Sequence, residues 1–144
     1  TLKSRCLNYN IHLTSSQSFD ITNKILGENL MDLVNDQFIN NYSTPGLILN
    51  LLNFANNNDI DLKNTNLKDF IKMILIEKKY KKDQFVKHLL YSLIEIYFRN
   101  NVSIKNIKLL NIQNYFLNKI NNTKIFNLDD ETLFMEFEDR VLNG

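Results

Sequence analysis

The stretch DQFVKHLLYSLIEIYFRN, residues 83–100, decides the fold class. Phe85, Val86, Leu89, Leu90, Leu93, Ile94, Ile96, Tyr97 and Phe98 recur at the three- and four-residue spacing of an α-helix. They occupy so much of the circumference that the helix needs neighbours on several sides. That places it at the centre of a helical domain. Asp83 can open the helix, and it runs to about Asn100.

On either side the helical period continues. Upstream, Leu67, Phe70, Ile71, Ile74 and Leu75 follow the i, i+3, i+4, i+7, i+8 template, with Asn66 as the cap. That segment ends in Lys78-Lys79-Tyr80-Lys81-Lys82, where cations suit a helix C-terminus. Downstream, a helix is expected from about Ser103 to Asn121 on Ile104, Ile107, Leu110, Phe116, Leu117 and Ile120. A last one starts at Asp129, buries Leu133, Phe134, Phe137 and Val141, and carries Arg140 near its end. Asp130 and Glu131 in its first turn complement the helix dipole.

The N-terminal half reads similarly. Thr14 and Gln17 form a capping box before a helix bearing Phe19, Thr22, Ile25 and Leu26, with Gly27 as its stop. Leu30, Leu33, Val34, Phe38 and Ile39 make the stripe of a second helical stretch reaching Tyr42, which can break at Asn35-Asp36. Thr44 can cap a third helix with Pro45 at its first position, followed by Leu47, Ile48, Leu51, Leu52 and Phe54. The polar run Ala55-Asn56-Asn57-Asn58-Asp59 reads as a linker between two subdomains. Residues 7–13 alternate apolar and polar, as in a short strand. The expected architecture is all-α, in two helical units after an extended N-terminal remnant.

Composition narrows the function classes. The 144 residues carry 17 basic and 16 acidic side chains, a net charge of +1, which argues against a protein held to nucleic acid by its overall field. The 44% hydrophobic content is enough for a packed core. A single cysteine excludes an internal disulfide framework and any multi-cysteine zinc site. No apolar run reaches membrane-span length, and a soluble cytoplasmic protein is expected. The Asn, Ile and Lys richness reflects an AT-rich genome, and the sequons at Asn41, Asn101 and Asn121 follow from it.

Three pieces, taken in order and spacing, carry a resemblance. Ser4-Arg5-Cys6 precedes the strand-like segment; Ser43-Thr44-Pro45-Gly46 precedes an apolar helix; and Asn127-Leu128-Asp129 leads into the final helix. Together they resemble the C-terminal part of bacterial DNA polymerase III clamp-loader subunits, most closely the delta prime branch. The resemblance covers nearly the whole chain. It implies that residues 1–13 finish an AAA+ ATPase domain, 14–58 form its helical lid and 63–144 form the collar through which loader subunits oligomerise. Implied partners are the gamma/tau and delta subunits, with the sliding clamp and primer-template DNA reached through the assembled complex; no cofactor is implied. Arg5, with Ser4 and Cys6 as its motif, would be an arginine finger reaching a neighbour's ATP. Thr44, Pro45 and Gly46 would be the lid turn. Leu47 stands where nucleotide-binding relatives place a phosphate-sensing arginine, which favours delta prime over gamma/tau, and the small Gly usual before the turn is missing at Ser43. Within this chain the resemblance implies an assembly module and no active site.

Other groups have simpler readings. Lys78, Lys79, Lys81 and Lys82 could touch DNA phosphates, although a solvated helix end accounts for them better. A free-standing helical nucleic-acid-binding domain is therefore one rival function; a gamma/tau or replication-factor-like subunit is the other. Asp129, Asp130 and Glu131 are consecutive on a helix start and point apart, so capping explains them better than a metal. His12 and His88 are structural or surface residues, and Cys6 has no evident base. The glycines, Gly27, Gly46 and Gly144, form no phosphate-cradling loop. Tyr91, Tyr97, Phe98 and Phe134 are the side chains expected to supply interface area.

Overall fold

Short-range polar contacts set the helix boundaries in the computed structural model, which describes residues 13–41, 43–101 and 106–144. Thr14 and Gln17 close the expected capping box on α1 (Ser15–Leu26), and Gly27 ends it at φ 74°, a left-handed position that glycine adopts without steric cost. Asn29 caps the single turn α2 (Leu30–Leu33). Thr44 caps α3 (Pro45–Asn56), with Pro45 in its first turn. Asn66 caps α4 (Leu67–Glu77), which Lys78 terminates in the left-handed region. Then follow α5 (Gln84–Asn101), α6 (Ile107–Phe126) capped by Asn106, and α7 (Asp130–Phe137) capped by Asp129. The fold is all-α, and no strand occurs among the described residues. Of the strand-like segment 7–13, residues 7–12 lie outside them.

As expected, α5 is central. Val86, Leu89, Leu90, Tyr91, Leu93, Ile94, Ile96 and Phe98 are all buried, and the helix packs on α3, α4 and α6. Each such side chain withdrawn from water contributes about 2 kcal/mol. The aromatic residues cluster around it. Phe137 meets Tyr97, Phe98 and Phe116 at centroid separations of 5.8, 5.7 and 5.5 Å. Phe70 receives Phe38 and Phe54 edge-on at 5.3 and 5.8 Å.

Buried residues from Leu30 to Leu142 form one continuous cluster. The run 55–59 is an ordered corner: Ala55 is buried in the last turn of α3, and the Ile60 N–H donates to its carbonyl. Further bonds tie the chain before this corner to the chain after it. Asn35 N–H donates to the Leu62 carbonyl, Leu67 N–H to Gln37 Oε1, and the Asn100 amide to the Gln37 carbonyl.

Four expectations need correction. The stretch from Leu30 toward Tyr42 breaks near Asn35-Asp36 as expected, but it is α-helical only to Leu33 and does not resume as an α-helix. Asn35 turns its side chain onto Gln37 N–H and starts a 3₁₀ turn (Asp36–Phe38), which buries both Val34 and Phe38. Helix α6 runs on to Phe126, ending at a left-handed Asn127. A π-helical turn (Glu138–Leu142) follows α7, so Leu142 enters the core and Val141 is only half-buried. Tyr91, Phe98 and Phe134 are core residues at 2% exposure or less, and Tyr97 is half-buried. The first three offer no surface, and Tyr97 offers only part of its ring. The exposed apolar side chains are others, chiefly Phe85 (77%), Ile125 (72%), Ile107 and Ile76 (both 71%) and Phe126 (67%).

Candidate functional site

The turn before α3 is built from three hydroxyl or ring constraints. Ser43 is buried, and its Oγ accepts the Asn40 N–H at 3.0 Å. Thr44 Oγ1 accepts the Leu47 N–H at 3.3 Å, and Pro45 presets the first helical φ. A Cβ added at Gly46 would meet nothing within 4 Å, so packing does not demand glycine there. Leu47, one position on, is half-buried and lies against the core.

At the lysine corner, three of the four lysines are paired, sharing two carboxylates. Lys78 and Lys81 reach Glu131 at 3.4 and 2.6 Å, and Lys79 reaches Glu77 at 2.7 Å and the side-chain Oδ1 of Asn58. Tyr80 turns inward between them onto Phe134, with centroids 4.8 Å apart. The hydrogen bond from Lys81 holds the Glu131 carboxyl below its ordinary range, against the small desolvation it suffers. Beside this corner, Asp130 accepts from Lys87 at 2.8 Å and from the Tyr91 hydroxyl. Asp129 caps α7 through the N–H groups of Glu131 and Thr132, and Thr132 lowers its pKa. The three consecutive carboxylates therefore serve three separate sets of partners. They do not converge, and no group of three or more His, Cys, Asp or Glu among the described residues could hold a metal ion.

Nothing in the sequence pointed to the partners of Glu131, which lie 50 and 53 residues away, because helical periodicity carries no such information. The same is true of Glu136. Burial pushes its carboxyl up, but Lys119, Arg140 at 2.6 Å and the Tyr115 hydroxyl at 2.9 Å outweigh this and hold it at about 2. A depressed carboxyl stabilises the fold above its unfolded pKa and loses that contribution as pH falls through the folded value. Stability should therefore drop between pH 4.5 and 2, and Glu136→Gln should flatten that drop by about 1 kcal/mol, since solvent screens the pair. Urea titrations at pH 6 and pH 3 would measure it; identical pH slopes in the two proteins would contradict the assignment.

Ser4, Arg5, Cys6 and His12 lie outside the described residues. His88 is exposed. No helix among the described residues is long and apolar enough to cross a membrane. Comparison with protein-family models, curated proteins and solved structures finds no match to this chain.

Proposed function

We propose that this chain is a non-catalytic assembly module of a DNA polymerase III clamp loader, the lid and collar of a delta prime subunit. The turn before α3 carries the reading. Ser43-Thr44-Pro45-Gly46 caps an apolar helix, as in the family's lid, and Leu47 packs against the core where ATP-binding relatives use an arginine. A subunit with an apolar side chain there does not sense its own nucleotide. It contributes Arg5 to a neighbour's ATP instead, through a guanidinium that stabilises developing phosphoryl charge. The exposed apolar positions Phe85, Ile125 and Phe126 support an assembly role, since they offer contact area to gamma/tau and delta subunits. The sliding clamp and primer-template DNA are engaged through the assembled ring. The pairing of Lys78, Lys79 and Lys81 with carboxylates favours this reading over a helical nucleic-acid-binding domain.

Co-expression with the loader subunits of the same organism, followed by native mass measurement, tests it. The chain is expected to co-purify in a complex of defined stoichiometry. Recovery of the chain free of every loader subunit would remove the proposal.

A further inference from the structure

Helix α6 is 20 residues long, yet only Phe116, Ile120 and Thr123 are buried. Its opposite face carries Ile107, Asn111, Asn114, Asn118, Asn121 and Ile125, all exposed. The steps between these positions are four, three, four, three and four residues, the a/d spacing of a coiled-coil seam. No charged residue interrupts the line, which is about 27 Å long at 1.5 Å per residue. None of the four Asn side chains is engaged elsewhere among the described residues.

The seam is a palindrome. If a second copy of α6 is laid against it antiparallel, about a two-fold axis at residue 116, Ile107 faces the partner's Ile125. On the same axis Asn111 faces the partner's Asn121, and Asn114 faces the partner's Asn118. Apolar residues meet only apolar residues, and amides meet only amides. Each Asn side chain carries both donors and an acceptor, so facing amides can satisfy one another. The flanking positions agree: Leu117 and Tyr115 each meet their own copies, and Lys108 falls opposite the partner's Asn122. No like charges oppose. A two-fold interface requires this kind of self-complementarity, and a heterologous partner would not.

We infer that α6 pairs antiparallel with α6 of a second copy of this chain. Two such faces bury roughly 1,000 Å² in total, the lower bound for a specific interface, so the dimer is reversible. Buried Asn layers weaken it further but fix its register. The inference does not rest on the clamp-loader reading, because it concerns the chain with no loader subunit present.

Sedimentation equilibrium of the full chain alone, from micromolar to sub-millimolar, tests the pairing. The wild type is expected to shift from monomer to twice the monomer mass. Asn114→Lys with Asn118→Lys sets lysines against lysines and should raise the dissociation constant on the order of a hundredfold, with unchanged helical circular dichroism. Asn114→Asp with Asn118→Lys opposes unlike charges only when the helices run antiparallel, and should keep the dimer. A wild type monomeric throughout overturns the inference. So does a dimer that survives the double lysine variant, or one that the Asp/Lys variant dissociates.

Discussion

Replacing Phe137 by alanine is expected to lower the free energy of unfolding by about 4 kcal/mol, within the range of buried Phe→Ala substitutions. The ring is fully buried at the crossing of α5, α6 and α7, and touches Tyr97, Phe98 and Phe116. Truncation removes its transfer free energy and leaves a cavity that three other rings cannot fill without leaving their rotamers. Urea unfolding at neutral pH reads the effect as a fall in midpoint at unchanged slope. Phe85→Ala is the control, because that ring is 77% exposed and its loss should change stability by no more than about 0.5 kcal/mol. Equal effects of the two substitutions would mean that the aromatic cluster is not where the core lies.

Phe70→Ala should cost a similar amount, about 4 kcal/mol, and its shape is as informative as its size. Phe70 sits in α4, after the Ala55–Asp59 corner, and receives Phe38 and Phe54 from before it. If one cluster organises the whole chain, both substitutions move a single cooperative transition. Biphasic unfolding, with each substitution acting on a different phase, would show instead that the corner separates two folding units.

What could be read in advance was local. Thr14 with Gln17, Gly27, Thr44 with Pro45, Asn66 and Asp129 each mark a helix end through contacts within a few residues, and each does so in the structure. The apolar stripe of α5 was legible for the same reason. Its neighbours were not. Periodicity shows that Tyr91 and Phe98 lie on apolar faces, but not that other helices cover both, so they looked like interface residues and are core. The end of α6 was misplaced because Ile125 and Phe126 lie off its buried stripe and gave no signal to continue. Among candidate site residues, the Thr44-Pro45-Gly46 turn was visible as a cap. The carboxylate partners of the lysine corner depend on how α7 lies against the chain near Tyr80, which no local pattern encodes.

The π-helical turn after α7 has a consequence for how the chain can change over time. It places Phe137 and Leu142, five positions apart, against the same core, with the Asn143 N–H bonded to the Glu138 carbonyl. An α-helical turn would span that interval with one residue fewer. This segment thus holds a spare residue within Glu138–Arg140, outside the core. Loss of one residue there would let the helix close in ordinary register with the same two anchors. The interval between Phe137 and Leu142 can shorten by one at Asp139, which leaves the Glu136–Arg140 pair on one face, while the identity of its apolar anchors is held by the core.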